Sequence, residues 1–495
     1  MFAMIGLPYM ILHEPAMSPT SSLLNDLRNV LSPDRVITDP TELIVYECDG
    51  LVLNRRQPDA VVLPETTQEV AEVVSLCVRN DIPFLARGAG TGLSGGAVAA
   101  DGGIIIQMSR MNRILEIDYE DEIAVVQPGV VNLDLSLVTS RHGFHFAPDP
   151  ASQKACTIGG NVAENAGGPH TLKYGVTVNH VLGVQGVMPN GEIIEIGGRI
   201  PDPAGYDLTG LLVGSEGTLG VVTEITVKLT RNPEAIETFL AVFPSMEDAC
   251  NSVTDIVGAG IIPAALELID NLVIQAVESH LRVGFPTDAA AVLLIEIDGI
   301  PWNLDQQANR IKQVCLENHA VNVDQARSEE DRELLWRGRK EAVGALGKIT
   351  PAFYTNDGVV PRSRLPEILQ ADMEIGRKHN LRIAHVCHAG DGNIHPIILY
   401  NPLEKKEVDE AVKSSEEILA KCVEMGGAIT GEHGIGMEKL SSFNIMFSPE
   451  DRDQMARVRK ALNSRHLLNP GKIFPGGSGC GEVKIKKAIA GGSWL

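Results

Sequence analysis

Basic residues are scarce in this chain. Lys and Arg total 42 against 64 Asp and Glu, a formal charge of −22 over 495 residues. So acidic a surface repels phosphate backbones and anionic headgroups, which argues against nucleic acid or membrane lipid as a partner; high solubility is its plain meaning. Paired cysteines are missing too. Cys48, Cys77, Cys156, Cys250, Cys315, Cys387, Cys422 and Cys480 are spread thinly, with no CxxC. This leaves no disulfide framework and no iron–sulfur motif within the chain, and it suits a reducing, cytoplasmic compartment. Long apolar runs are also absent. The N-terminal "MFAMIGLPYMILHEPAM" has no basic flank and is broken by Pro8, His13 and Glu14, whereas a bilayer span needs about 18 apolar residues. No transmembrane segment is expected, and residues 1–20 read as a flexible extension.

What is present is enough apolar material, 44% of the residues, to fill more than one core. Thr66 and Glu69 have capping-box spacing, and Val70, Val73, Val74 and Cys77 recur at helical intervals, which predicts a helix there. "IPFLA" and "GGIIIQM" read as strands on either side of a glycine-rich loop. Short strands and turns continue to the linker signal "RNPEA". Beyond it, strands such as "AVLLIEIDG" alternate with helical patterns at 304–318 and 403–425. The predicted fold class is α+β. The expected division is a first domain at 21–232, an α+β domain at 233–445, a C-terminal helical segment at 446–476 and a flexible tail at 477–495.

The loop "ARGAGTGLSGGAV" contains G-x-G-x-x-G at Gly90, Gly92 and Gly95. A Rossmann site requires a helix directly after that pattern; here "GGAVAADGG" runs straight into "IIIQM", so a nicotinamide-dependent dehydrogenase is disfavoured. Successive glycines can still turn N–H groups toward an anion, with Arg87 adding charge at the edge; a plain glycine turn is the alternative. Two further glycine-rich segments, 148–183 and 214–224, suit a large cofactor lying across a domain.

"HAGDGNIH" carries His388 and His395. With Asp391-Gly392 as a two-residue hairpin turn, His388 faces His395 directly across the strands, with Cβ atoms about 5 Å apart on one face. His385 then falls on the other face, as a packing residue. In "GEHGIGMEK", Glu432 precedes His433. On extended backbone the two side chains diverge, so Glu432 joins the histidines while His433 points into adjoining space as a free base. The spacing alone leaves a structural histidine pair open; the Glu-His dipeptide tilts it toward a metal.

The three glycine-rich segments resemble the FAD-binding domain of the vanillyl-alcohol oxidase and p-cresol methylhydroxylase family. "WRGRKEA", "HAGDGNIHP", "GEHGIGMEK" and "LLNPGKIF" resemble the FAD-linked oxidase C-terminal domain of D-2-hydroxy-acid dehydrogenases of the bacterial glycolate oxidase group. The resemblance spans roughly residues 20 to 475. It implies a p-cresol methylhydroxylase-type FAD domain followed by a substrate (cap) domain. Arg87, Gly88, Ala89, Gly90, Thr91, Gly92 and Ser94 would hold the diphosphate; Pro148, Thr157, Gly159, Gly160, Asn161, Asn165 and Gly168 would line the flavin. Glu216, Gly217 and Val221 would lie along the nucleotide, with Asn469 near the flavin. The first loop has no histidine for covalent attachment, so FAD should be non-covalent. His388, His395 and Glu432 would bind a divalent metal (Zn, Mn or Fe), His433 would be the catalytic base, and Arg339 would grip the substrate carboxylate, although "WRGRKEA" reads equally as a solvated basic helix. Relatives acting on dicarboxylates carry a lysine where "FYTND" offers Thr355. A small monocarboxylate, glycolate or D-lactate, is therefore expected. The resemblance further implies FAD and iron–sulfur partner subunits at a membrane quinone pool. Two alternatives are a flavin-dependent transferase of the alkyl-dihydroxyacetone-phosphate synthase type and a non-catalytic FAD subunit.

Overall fold

The computed structural model describes residues 19–201 and 205–475. The expected extension before residue 19, the tail from 477 and Cys480 lie outside them.

The first sheet runs in the order Val36–Ile37, Ala60–Val62, Ile104–Gln107, Phe84–Arg87. Its last three strands pair in parallel. Ile104, Ile105 and Ile106 are all buried, one face in each of two clusters, which is why "IIIQM" is an unbroken apolar run. The helix Thr67–Arg79 crosses between Ala60–Val62 and Phe84–Arg87 and buries Val70, Val73, Val74 and Cys77. Thr66 Oγ1 accepts from the Glu69 N–H at 3.2 Å. Glu69 reaches back to the N–H of Glu65, one residue earlier than a closed capping box, because Arg35 also grips its carboxylate. No helix interrupts residues 88–103; the glycine loop alone links the parallel neighbours.

An antiparallel sheet of five strands follows, ordered Ile114–Asp118, Ile123–Val126, Val221–Lys228, Val181–Val187, Ile193–Gly197. The glycine-rich segment 148–183 holds two short α-helices, Thr171–Tyr174 and Ile158–Glu164, the latter capped by Thr157 and ended by Asn165 at φ 57°. Gly159 and Gly160 hid it, yet Gly159 is required there: a Cβ would sit 2.5 Å from Pro128 Cβ.

The third sheet is antiparallel and centres on Ala235–Phe243, Ala291–Gly299, Ala265–Asp270, Arg382–His388 and Asn393–Tyr400, in that order. Helices Met246–Gly258, Pro301–Glu317, Leu365–His379 and Lys405–Glu424 bury their apolar stripes on one face. Asn271–His280 and Ala342–Leu346 cover the other, with Glu329–Lys340 lying over it through Trp336. After the helix Pro449–Leu462 the chain returns to the first sheet: the Phe84 N–H donates to Leu467 O at 2.8 Å and the Asn469 N–H to Phe84 O at 2.7 Å.

Candidate active site

The hairpin forms, but two residues out of the expected register. His388 pairs with Asn393, and His395 with Val386. The turn has four residues, 389–392, rather than two. Tertiary contacts set it: the Gly390 N–H donates to Leu266 O at 3.1 Å, and Gly392, at φ 83°, packs so closely that a Cβ would lie 2.1 Å from Val360 O. A shift of two preserves side-chain parity. The histidines therefore share a face as diagonal neighbours, with ring centroids 5.1 Å apart. His385 does fall on the opposite face, but it is bound between Asp270 and Asp372 rather than merely packed.

Glu432 meets both imidazoles. Its Oε1 lies 3.3 Å from His388 Nε2 and 3.3 Å from His395 Nε2. The other ring nitrogens are engaged, His388 Nδ1 with Glu267 at 2.9 Å and His395 Nδ1 with Asn356 O at 3.3 Å. Ligands bound tetrahedrally at about 2.0–2.1 Å stand about 3.3–3.4 Å apart, so this donor set fits a divalent metal.

His433 does not point away. It stacks on His395 at 5.0 Å, with Nε2 3.9 Å from Glu432 Oε1. The alternation argument fails because this backbone is curled, not extended. The N–H groups of Gly431, Glu432 and His433, the Thr430 hydroxyl and the Lys439 ammonium all converge on Asp357 Oδ2 at 2.7–3.2 Å. Gly434 completes the curl at φ 86°. Burial opposes charge on Asp357, yet Lys439 and the neighbouring histidines hold its carboxyl well below the usual range. Asp357, His395 and His433 also stand close enough to ligate a metal, but Asp357 is already saturated and faces an ammonium, which disfavours a cation there. Burial pushes the His433 imidazole down to about 4, below the ordinary histidine value.

Arg339 is buried, 5% exposed, and tied to Glu267 at 2.5 Å, with His388 Nδ1 at 3.4 Å. The solvated-helix alternative fails. Thr355 lies in register with Ile397, which puts it on the His395 face of the sheet.

The glycine loops enclose one cleft. Arg87, Gly88, Ala89, Gly90, Thr91, Gly92, Thr157, Gly159, Gly160, Asn161, Glu216, Gly217 and Asn469 line it, and so do Glu432 and His433. Five expected residues do not. Ser94 is buried behind the loop, bonding to Gly96 and Glu164; the Pro148 carbonyl accepts from Asn132. Asn165 caps Val178, Gly168 packs on Asp149, and Val221 belongs to the core. Arg87 lines the cleft but commits its guanidinium to the carbonyls of Ala97 and Cys48, so it braces the loop. Among the described residues no protein acceptor takes the N–H groups of Ala89 to Leu93. The Asn161 amide and Asn469 Oδ1, which are buried, also have no hydrogen-bond partner. A phosphate and a polar ring system fit these orphans.

Sequence reasoning missed Glu267, Asp357, Lys439 and the cleft-lining Glu164, whose carboxyl burial and Glu216 push well above the usual range. The charge at the centre of the apolar strand "ALELID" was the available signal for Glu267.

Residues 58–197 match a model described as "FAD binding domain", and 232–473 one described as "FAD linked oxidases, C-terminal domain". The glycolate oxidase subunit GlcD of Escherichia coli K12 is 43% identical, over 93% of this chain and 93% of its own. A D-lactate dehydrogenase of Anaerostipes hadrus is 34% identical, covering 90% and 94%. The fold also matches p-cresol methylhydroxylase with substrate bound, at TM-score 0.76 and 17% identity over 91% of this chain and 96% of that one. An orphaned amide cradle opening onto a histidine–carboxylate cluster, in a chain so similar over nearly its whole length, makes it a member of the FAD-linked oxidase family.

Proposed function

We propose that this protein oxidises a small D-2-hydroxy acid, glycolate or D-lactate, to the 2-oxo acid, with non-covalent FAD as hydride acceptor and a divalent metal at His388, His395 and Glu432. The observation that carries this reading is that Glu432 and His433 line the same cleft as the glycine loops. Bound FAD supplies the two-electron sink, and a bound divalent metal lowers the pKa of the substrate hydroxyl. The chain does the rest. The N–H groups of Ala89 to Leu93 hold the diphosphate, and Asn161 and Asn469 orient the ring. His433, neutral at physiological pH, takes the hydroxyl proton. Arg339 draws the substrate carboxylate toward the corner beneath His388. Thr355 offers no second cation on that face, which favours a monocarboxylate.

The relative's printed name calls it a subunit. By extension, electrons leave this chain through partner subunits, one of them iron–sulfur, with peripheral placement at the inner membrane. Among the described residues no helix is long and apolar enough to cross a membrane.

Steady-state oxidation of glycolate, D-lactate, L-lactate and D-2-hydroxyglutarate with an artificial acceptor tests the substrate class. Glycolate and D-lactate should lead; preference for the L-acid or the dicarboxylate would reject it.

A further inference from the structure

Glu267 is fully buried in the centre of the third sheet, directly across from His388. Its carboxylate serves two partners. Oε1 stands 2.9 Å and Oε2 3.0 Å from His388 Nδ1, and Oε2 also stands 2.5 Å from a terminal nitrogen of Arg339. The partners arrive from separate elements, one on the hairpin and the other on the helix Glu329–Lys340. That helix is held over the same sheet face by a second buried carboxylate, Glu296, which takes Arg332 and the Trp336 indole. A strand carboxylate is costly to bury unless it is paired. Glu296 touches none of the proposed machinery, pairing instead with Arg332, Trp336, Thr238 and His170, whereas Glu267 touches two groups of that machinery at once.

We infer that Glu267 is a positioning residue that couples the metal ligand His388 to the carboxylate-binding Arg339. Accepting from Nδ1–H fixes the imidazole tautomer and leaves Nε2 free beside Glu432. Oε2 also holds one guanidinium nitrogen, while Arg339 Nε has no partner. The arginine is thus aimed but not fully satisfied. Glutamine cannot reproduce this arrangement. Its carbonyl replaces only one of the two acceptor oxygens and carries no charge to balance the guanidinium, and its amide would face either a cation or the Nδ1–H.

This inference rests on the metal-assisted reading above, and the test separates the two. Glu267→Gln is prepared as the holoenzyme and compared with wild type. Four quantities are measured: bound flavin, manganese affinity by competition with a chromophoric chelator, kcat at saturating manganese, and KM for glycolate. Flavin should stay stoichiometric, metal affinity should fall by about 10–100-fold, kcat should largely recover in excess manganese, and KM should stay raised several-fold. Wild-type metal affinity and KM in the variant would overturn the inference, even if its thermal stability fell. Should the lone guanidinium prevent folding, Glu267→Gln/Arg339→Gln removes the stranded charge and keeps the metal arm readable; unaltered metal affinity there is equally fatal. A wild-type enzyme that turns over metal-free would remove the parent reading as well, whereas a metal-dependent wild type with an unaffected variant removes this inference alone.

Discussion

The two walls of the cleft grip by opposite means. The glycine-loop wall offers backbone: N–H groups without protein acceptors, braced from behind by Arg87. The cap wall offers buried side-chain charge: Glu267, Asp357 and Lys439, each at most 1% exposed, behind His388, His395, Glu432 and His433. The backbone wall depends on local conformation, so a single Cβ can spoil it. The charged wall depends on partners brought together from distant strands, so removing one charge strands another. Chemistry demands the contrast: a cofactor that stays bound needs shape and neutral donors, whereas proton removal needs groups whose charge can change.

If the walls are functionally distinct, damage should separate. The largest effect is expected from His433→Ala. It should lower kcat by about 10²–10⁴-fold, the usual worth of a general base, while leaving the flavin spectrum intact; near-normal turnover would remove His433 from the chemistry. The converse comes from Gly90→Ala. Gly90 sits at φ 69°, and a Cβ would lie 2.2 Å from the Arg87 guanidinium. Flavin affinity should fall about tenfold, the equivalent of about 1.4 kcal/mol of backbone strain, with metal affinity unaltered. Loss of metal in that variant would mean that the walls are not independent.

A smaller effect should appear at the seam between the halves. His170, within the glycine-rich segment 148–183, bridges Asp149 at 2.8 Å and Glu296 of the third sheet at 3.3 Å. Burial would lower its pKa, but the two carboxylates together push it up to about 10. A histidine whose folded pKa lies above its unfolded value stabilises fully below the unfolded value, near 6.5, and loses that stabilisation as pH rises through about 10. Wild-type Tm should therefore fall more steeply between neutral pH and pH 10 than that of His170→Asn. Parallel curves would show that the bridge contributes no pH-dependent stability.

The same contrast explains how much was legible in the sequence. Gly90 and Gly92 announce their wall because the conformation they permit is written in the residue itself. The parity of His388 and His395 was readable from alternation, and it survived the error in register because the slip was two residues, not one. The register itself was not readable: Leu266 and Val360, both outside the hairpin, decide it. Nor was the orientation of His433, because Asp357, more than 70 residues earlier, curls the backbone that carries it. Ser94 and Val221 share motifs with cleft-lining neighbours but turn the other way, a distinction only packing makes.

The central claim is that the charged wall removes a proton while the backbone wall holds the electron acceptor. It is tested most directly by mixing the flavoprotein with glycolate or D-lactate under anaerobic conditions, metal-loaded and metal-stripped, and following the flavin's visible absorbance. The account predicts rapid bleaching of the loaded protein and little or none of the stripped protein, with bleaching restored by adding a divalent metal. Equal bleaching with and without metal, or none in either, would contradict it.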